Sequence, residues 1–142
     1  LSYLVEALEK AGFVIKDLIR WEKSNPMPRN VKSRYVMDFE VAIWAVKGNS
    51  KWTFNKPDDV PYLKPVVKSS VVPGGKNRIH PTQKNLGTFE ELIKIHSNAN
   101  NLVFDPFSGS GTTALACKNL GRNFIGSEID KNYYEKALKR LW

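Results

Sequence analysis

Cysteine and histidine are scarce in this sequence of 142 residues, which contains one cysteine and two histidines. The single cysteine, Cys117, excludes an internal disulfide framework and a metal site built from cysteines, and it fits a reducing compartment. We expect Cys117 to be a buried helix residue. His80 and His96 lack the spacing of a metal-binding pair, so we predict no metal site.

Long apolar stretches are also missing, since no run approaches the ~20 apolar residues that a membrane helix needs. The sequence shows no charged and then apolar leader at its amino terminus. Its hydrophobic fraction of 42% excludes a disordered chain and supports a folded domain with a core. We therefore expect a soluble protein of the cytoplasmic, prokaryotic type that has no membrane partner.

Acidic residues are few in the middle of the chain. Residues 14–84 carry 14 Lys and Arg against six Asp and Glu, an excess equal to the net charge of +8 of the whole chain. Aromatic residues lie between these cations, as a surface that holds phosphates and covers bases requires. A solvated basic face around core aromatics is the alternative, and charge alone leaves both open. The aromatic residues are Trp21, Tyr35, Trp44, Trp52, Phe54 and Tyr62.

Hydrophobic periodicity in the first half predicts a helix that ends near Gly12, where a left-handed residue commonly terminates a helix. Strands are predicted at 13–21 and 39–47, the second mostly buried. Residues 48–78 show no lasting period and are predicted to be a long functional loop or small insertion.

The second half has the pattern of a β-α-β-α unit in a parallel α/β sheet. An amphipathic helix begins at Thr88, which we interpret as its cap with Glu91 three residues on. The elements predicted after it are a strand at 102–105, a helix from Thr112 that ends at Gly121, a strand at 123–129 and a helix at 131–141.

The stretch FDPFSGSGTT, residues 104–113, predicts a ligand-binding turn between a strand and a helix. Gly109 and Gly111 permit positive φ and close approach of a ligand to the backbone. Glu128 follows Gly109 by 19 residues at the end of the next strand, where doubly wound folds place an acid that binds ribose hydroxyls. A dinucleotide is not excluded by this spacing, because Ala114 is tolerated in place of a third glycine.

The stretch DPFSGSGTTALACKNLGRNFIGSEIDKNYYEKALKRL closely resembles the cofactor region of S-adenosylmethionine-dependent DNA amino-methyltransferases. Their motif reads D-P-F-x-G-S-G-T-T and then G-x-E-x-D-x-x-Y, and every position matches. The segment HPTQK resembles their H-P-T-Q-K-P segment, which helps to hold the methionine part of the cofactor, although Asn85 replaces the last proline. The resemblance implies that S-adenosylmethionine binds His80, Pro81, Thr82, Gln83, Lys84, Asp105, Pro106, Phe107, Ser108, Gly109, Ser110, Gly111, Thr112, Thr113, Glu128 and Asp130.

The amino-terminal half resembles the segments that follow the catalytic motif in the group whose cofactor motif lies at the carboxyl end. The resemblance implies a Rossmann-like fold, a parallel sheet with helices on both faces, which we expect to be incomplete in this chain. It assigns residues 1–47 to the catalytic side, 48–79 to target recognition and DNA contact, and 80–142 to cofactor binding. We expect the DNA-contacting cations to be Lys51, Lys56, Lys64, Lys68, Lys76 and Arg78.

The D-P-P-Y or S-P-P-Y motif that grips the flipped base in this family is missing from the sequence. The nearest string, NPMP at 25–28, has Met27 and Pro28 at the wrong positions, and we reject it as catalytic. By the family's order we expect the catalytic motif upstream of Leu1, in a lost amino-terminal part or in a complementary polypeptide. We expect the chain alone to be inactive.

These patterns favour part of a DNA methyltransferase that modifies adenine N6. Cytosine N4 is the alternative target within the family. Adenine-N6 and cytosine-N4 enzymes differ most often at the first residue of the catalytic motif, and that motif is missing here. An alternative from a different class of function is a non-catalytic DNA-binding or assembly subunit. Such a subunit would not need Glu128 together with the full glycine loop. An NAD-dependent oxidoreductase leaves residues 80–84 and the central basic segment unexplained.

Overall fold

The computed structural model describes residues 1–28, 30–76 and 78–142. Helices and strands are interspersed along these ranges, which confirms the predicted α/β class. None of the helices within them is long and apolar enough to cross a membrane. In chain order the elements are α1 (Ser2–Lys10), β1 (Phe13–Lys23), β2 (Phe39–Lys47), β3 (Val66–Ser69), α2 (Leu86–His96), β4 (Leu102–Asp105), α3 (Thr112–Leu120), β5 (Asn123–Gly126) and α4 (Lys131–Leu141).

The chain divides into two compact units, and the first comprises Leu1–Trp52 and Lys56–Ser70. Its sheet has the order β2-β1-β3, with β1 antiparallel to β2 and parallel to β3. Trp21 of β1 is buried in this unit, and its indole Nε1 donates a 2.6 Å hydrogen bond to the Ser69 hydroxyl. This tryptophan is therefore a core residue rather than part of an exposed basic surface.

Two expectations about this part of the chain are wrong. Strand β2 is not mostly buried, since each of its residues is exposed or half-buried. The segment 48–78 is not wholly irregular, because Val66–Ser69 forms the strand β3 and pairs with Arg20–Lys23. A strand of four residues is too short for a period of two to stand out, and only its parallel pairing with β1 reveals it.

The second unit comprises Thr53–Asn55 and Val71–Trp142. Strands β4 and β5 pair in parallel, from Leu102 opposite Asn123 to Asp105 opposite Gly126, and α3 connects them. The buried face of α3 supplies most of the core, and it includes Cys117 as predicted. Small side chains on this helix let neighbouring elements approach its backbone closely.

The helix ends follow the predicted glycines, with one exception at a helix start. Gly12 and Gly121 have φ of +83° and +67°, as left-handed helix ends require. The cap of α2 is Asn85 rather than Thr88, because the Asn85 side chain accepts a 3.2 Å hydrogen bond from the Thr88 amide. Strand β5 ends at Gly126 instead of residue 129, since the chain then turns toward the glycine loop.

Candidate functional site

The turn between β4 and α3 has the backbone conformation that its glycines predict. Gly109 and Gly111 have φ of +53° and +71°, in the left-handed region that side chains rarely adopt. A Cβ on Gly111 would lie 3.1 Å from the Ala137 Cβ, so this position also lacks room for a larger residue. The glycines thus allow a tight loop directly before the first turn of α3.

Asp105, the last residue of β4, shapes this loop through its carboxylate. One carboxylate oxygen accepts a 3.0 Å hydrogen bond from the Phe107 amide. The other accepts a 2.5 Å hydrogen bond from the Thr113 hydroxyl in the first turn of α3. The side chain therefore ties the end of the strand to both sides of the loop.

Glu128 reaches the glycine loop, as its spacing of 19 residues from Gly109 predicts. Its carboxylate accepts a 2.7 Å hydrogen bond from the Gly109 amide and a 2.9 Å hydrogen bond from the Asp130 amide. The Ser108 amide donates to the Ser127 carbonyl at 2.9 Å, which brings the two segments together. The acid is half-buried, and its remaining lone pairs can accept further hydrogen bonds.

The turn at residues 80–84 packs against the same loop. The Thr82 amide donates a 3.2 Å hydrogen bond to His80 Nδ1. The His80 ring meets the Tyr133 ring edge-on, with centroids 4.3 Å apart, and lies 3.8 Å from where a Cβ on Gly109 would be. Two motifs that are separated in the sequence are thereby adjacent in space.

A cavity of about 590 Å³ lies beside these motifs. This volume falls in the range of roughly 300–1,000 Å³ that is common for small-molecule sites. Eleven of the residues predicted to bind cofactor line it: His80, Thr82, Gln83, Lys84, Asp105, Phe107, Ser108, Gly109, Ser110, Thr112 and Thr113.

The other five predicted cofactor residues do not line this cavity: Pro81, Pro106, Gly111, Glu128 and Asp130. Glu128 and Gly111 line a neighbouring cavity of about 70 Å³, and Ser108 contributes to both cavities. Asp130 caps α4 by accepting a 3.0 Å hydrogen bond from the Tyr133 amide. Glu128 therefore lies at the glycine loop but beyond the wall of the larger cavity.

The sequence reasoning missed the apolar wall of the cavity, which is one face of α2. Phe89, Leu92, Ile93 and His96 line it, and their spacing is that of a single helix face. That spacing was the available signal, but the same pattern also describes a helix packed on a core. Burial lowers the pKa of His96, which favours its neutral form in this wall.

The predicted DNA-contacting cations differ in their partners. Lys51, Lys64 and Lys76 are exposed and have no hydrogen-bond or ion-pair partner within residues 1–28, 30–76 and 78–142. Three others have partners: Lys68 pairs with Glu22 at 3.2 Å, Lys56 donates to the Val60 carbonyl, and Arg78 donates to the His80 and Pro81 carbonyls. The first three lysines are thus the ones most available to an external anion.

Comparison with known proteins identifies the family to which these features belong. A family model described as DNA methylase, covering N6 and N4 enzymes, matches residues 3–139. The chain belongs to this DNA methylase family.

Type II methyltransferases of this family are similar along nearly the whole chain. M2.LlaDCHI of Lactococcus lactis subsp. cremoris is 38% identical over 148 aligned positions, which cover 95% of this chain and 54% of that protein. M2.DpnII of Streptococcus pneumoniae is 36% identical with the same coverage. The chain therefore spans about half the length of these curated relatives.

Solved DNA methylase structures resemble the fold described above. A crystal structure of the M1.HpyAVI–SAM complex superposes with a TM-score of 0.86 and 56% identity, covering 99% of this chain and 68% of that one. PvuII DNA methyltransferase, a cytosine-N4-specific protein, gives a TM-score of 0.83 at 19% identity over 99% of this chain and 56% of its own. The predicted Rossmann-like fold is confirmed by this likeness.

Proposed function

We propose that the glycine loop and the adjoining cavity bind S-adenosylmethionine. The observation that carries this proposal is the hydrogen bond that the Gly109 amide donates to the Glu128 carboxylate. It lies in a loop that contains two left-handed glycines and leads into α3. Ribose hydroxyls can donate to lone pairs of Glu128 that the two backbone amides leave open. The crystallised complex of M1.HpyAVI with SAM supports the same ligand.

The rest of the cofactor fits the walls of the larger cavity. The Phe107 ring is 88% exposed and offers an apolar face to an adenine ring. The turn at residues 80–84 presents polar groups and Lys84 to the methionine part, as the family resemblance implies. When bound, this cofactor supplies a methyl group on a positively charged sulfur, which is the group to be transferred.

We propose that the whole protein transfers this methyl group to adenine N6 in DNA, with cytosine N4 as the alternative target. The family description covers both amines. A flipped base needs hydrogen-bond acceptors for its amine and an aromatic ring to stack on, and the expected D-P-P-Y or S-P-P-Y motif does not occur in the 142 residues. We propose that another part of the protein, or a complementary polypeptide, supplies that motif.

We propose that residues 48–79 contact DNA and that residues 1–47 belong to the catalytic side. The exposed lysines Lys51, Lys64 and Lys76 support the first assignment. Each phosphate contact contributes about 0.9 to the slope of log affinity against log salt concentration. Replacing Lys64 with Ala should therefore flatten that slope by about one, whereas Lys94→Ala, outside the segment, should leave it unchanged.

The reaction is tested with S-adenosylmethionine labelled in its methyl group and duplex DNA. The full-length polypeptide should place label on adenine N6, while the 142 residues alone should transfer none until a polypeptide that carries the D-P-P-Y motif is added. Label on cytosine N4 would establish the alternative target. Robust transfer by the 142 residues alone would contradict the proposed origin of the catalytic motif and return residues 25–28 to consideration.

A further inference from the structure

Arg140, near the end of α4, is a half-buried cation that has no acidic partner among the described residues. Its Nη1 donates 3.1 Å hydrogen bonds to the Ser110 carbonyl and to the Thr112 hydroxyl. Both acceptors are uncharged, and Arg140 forms no ion pair with any Asp or Glu in the part of the chain that the structure describes. A guanidinium has five N–H donors, so others remain for an external acceptor.

The surroundings of Arg140 disfavour an isolated charge. Burial lowers the pKa of Arg140, which reflects the cost of removing the guanidinium from water. Buried charges in proteins are usually paired, because a nearby opposite charge offsets that cost. An anion bound beside Arg140 would supply the missing partner, and a guanidinium binds phosphate oxygens through strong charge-assisted hydrogen bonds.

A second cavity, of about 480 Å³, opens beside this side chain and adjoins the one that we assign to the cofactor, since Gln83 and Lys84 line both. Lys76 and Lys84 line it together with Arg140, and its apolar wall consists of Val72, Ile79 and Leu86. Among the described residues that line it there is no Asp or Glu. Cations on an apolar wall without a competing carboxylate form a site for a phosphate group.

We propose that this cavity binds a phosphate of the nucleic-acid backbone, and that Arg140 connects the phosphate to the glycine loop. The proposal rests on the proposed function in one respect, that DNA is the substrate. Arg140 contacts Ser110 and Thr112, which also line the cofactor cavity. DNA bound at Arg140 therefore orders the loop that holds the cofactor, and each ligand should raise the affinity for the other.

The phosphate site is tested by the salt dependence of duplex binding to the full-length polypeptide without cofactor. Lys76→Gln and Arg140→Gln should each weaken binding and flatten the slope, and the double variant should lose about one unit in total because both cations serve one phosphate. Lys139→Gln is the matched control, since Lys139 is exposed on α4 and does not line the cavity. Slopes equal to that of the control, or a loss of two units in the double variant, would overturn the shared site.

Lys76→Gln keeps the test valid if Arg140→Gln fails to fold, because Lys76 has no partner among the described residues. Inorganic phosphate, followed by titration calorimetry, distinguishes free phosphate from DNA. The DNA assignment would be overturned if Lys76→Gln abolished saturable binding of inorganic phosphate but left the affinity for duplex DNA unchanged. Cofactor affinity measured without DNA tests the proposed function separately, and it should stay unchanged in Lys76→Gln.

Coupling is measured by the affinity for S-adenosylmethionine with and without saturating duplex. The wild-type protein should bind the cofactor more tightly with DNA present, by a factor of about 5 or more. Arg140→Lys should keep the charge but reduce that factor, because a lysine lacks the planar fork that can hold Ser110, Thr112 and a phosphate together. An unchanged factor in Arg140→Lys would contradict the connecting role of the guanidinium.

Discussion

Thr113 controls the geometry of the glycine loop through one hydrogen bond. The side chain is buried and donates at 2.5 Å to the Asp105 carboxylate. Thr113→Val should lower the free energy of unfolding by about 1–3 kcal/mol, because a charged acceptor loses its partner. Urea unfolding measures this effect, and Thr113→Ser, which keeps the hydroxyl, should recover most of it. Equal stability of the Val variant and the wild type would contradict the role of this bond.

Gly111 and Gly121 form a matched pair that separates backbone strain from crowding. Both residues have positive φ. A Cβ added to Gly111 would lie 3.1 Å from the Ala137 Cβ, whereas a Cβ added to Gly121 would have no atom within 4 Å. Gly121→Ala should cost about 1–2 kcal/mol from the left-handed conformation alone. Gly111→Ala should cost more, as measured by thermal unfolding. If both variants lost the same free energy of unfolding, Ala137 would be shown to move aside at no cost in stability.

Residues of the site were predictable from the sequence where the interval between two positions in the chain indicates that they lie close together. The interval between Gly109 and Glu128 predicted an acid that binds ribose; the structure brings Glu128 to the Gly109 amide, and its binding of ribose stays a prediction. Arg140 was not predictable in this way, because its contacts with Ser110 and Thr112 depend on how α4 packs beside the loop. A cation near the end of a helix usually interacts with solvent or the helix dipole, and its sequence context gave no other indication.

Helix α2 depends on a cap at the position where the sequence departs from its family. Asn85 accepts from the Thr88 amide, and proline could not replace that contact. Asn85→Ala should lower the free energy of unfolding by about 1 kcal/mol, whereas Asn85→Asp should keep the cap. Circular dichroism during urea unfolding measures both. If Asn85→Pro were as stable as the wild type, the cap would contribute nothing measurable.

The elements predicted best were those with strong local signals at both ends. Helices α3 and α4 lie almost where periodicity and their end residues place them. Strand β3 was missed because only its pairing with β1 defines it, and β2 was predicted to be more buried than it is. An apolar stretch alone does not reveal which of its faces another element covers.

At the scale of the whole molecule, the site joins stretches that are far apart in the sequence. The turn at residues 80–84, the face of α2 and the glycine loop all line one cavity. The family resemblance predicted the first and the third, but the wall from α2 required the packed structure. The three exposed lysines that have no partner among the described residues likewise became distinguishable from Lys56, Lys68 and Arg78 only through the contacts of the latter.

Titration calorimetry of the full-length polypeptide tests whether the glycine loop and Glu128 bind S-adenosylmethionine. Glu128→Ala should weaken cofactor binding by about 1–3 kcal/mol, roughly 5- to 150-fold, because charge-assisted hydrogen bonds to the ribose and to the loop are lost. Glu135→Ala, at an exposed position on α4, is the matched control and should bind as the wild type does. Equal affinities of Glu128→Ala, Glu135→Ala and the wild type would contradict the binding of S-adenosylmethionine by Glu128.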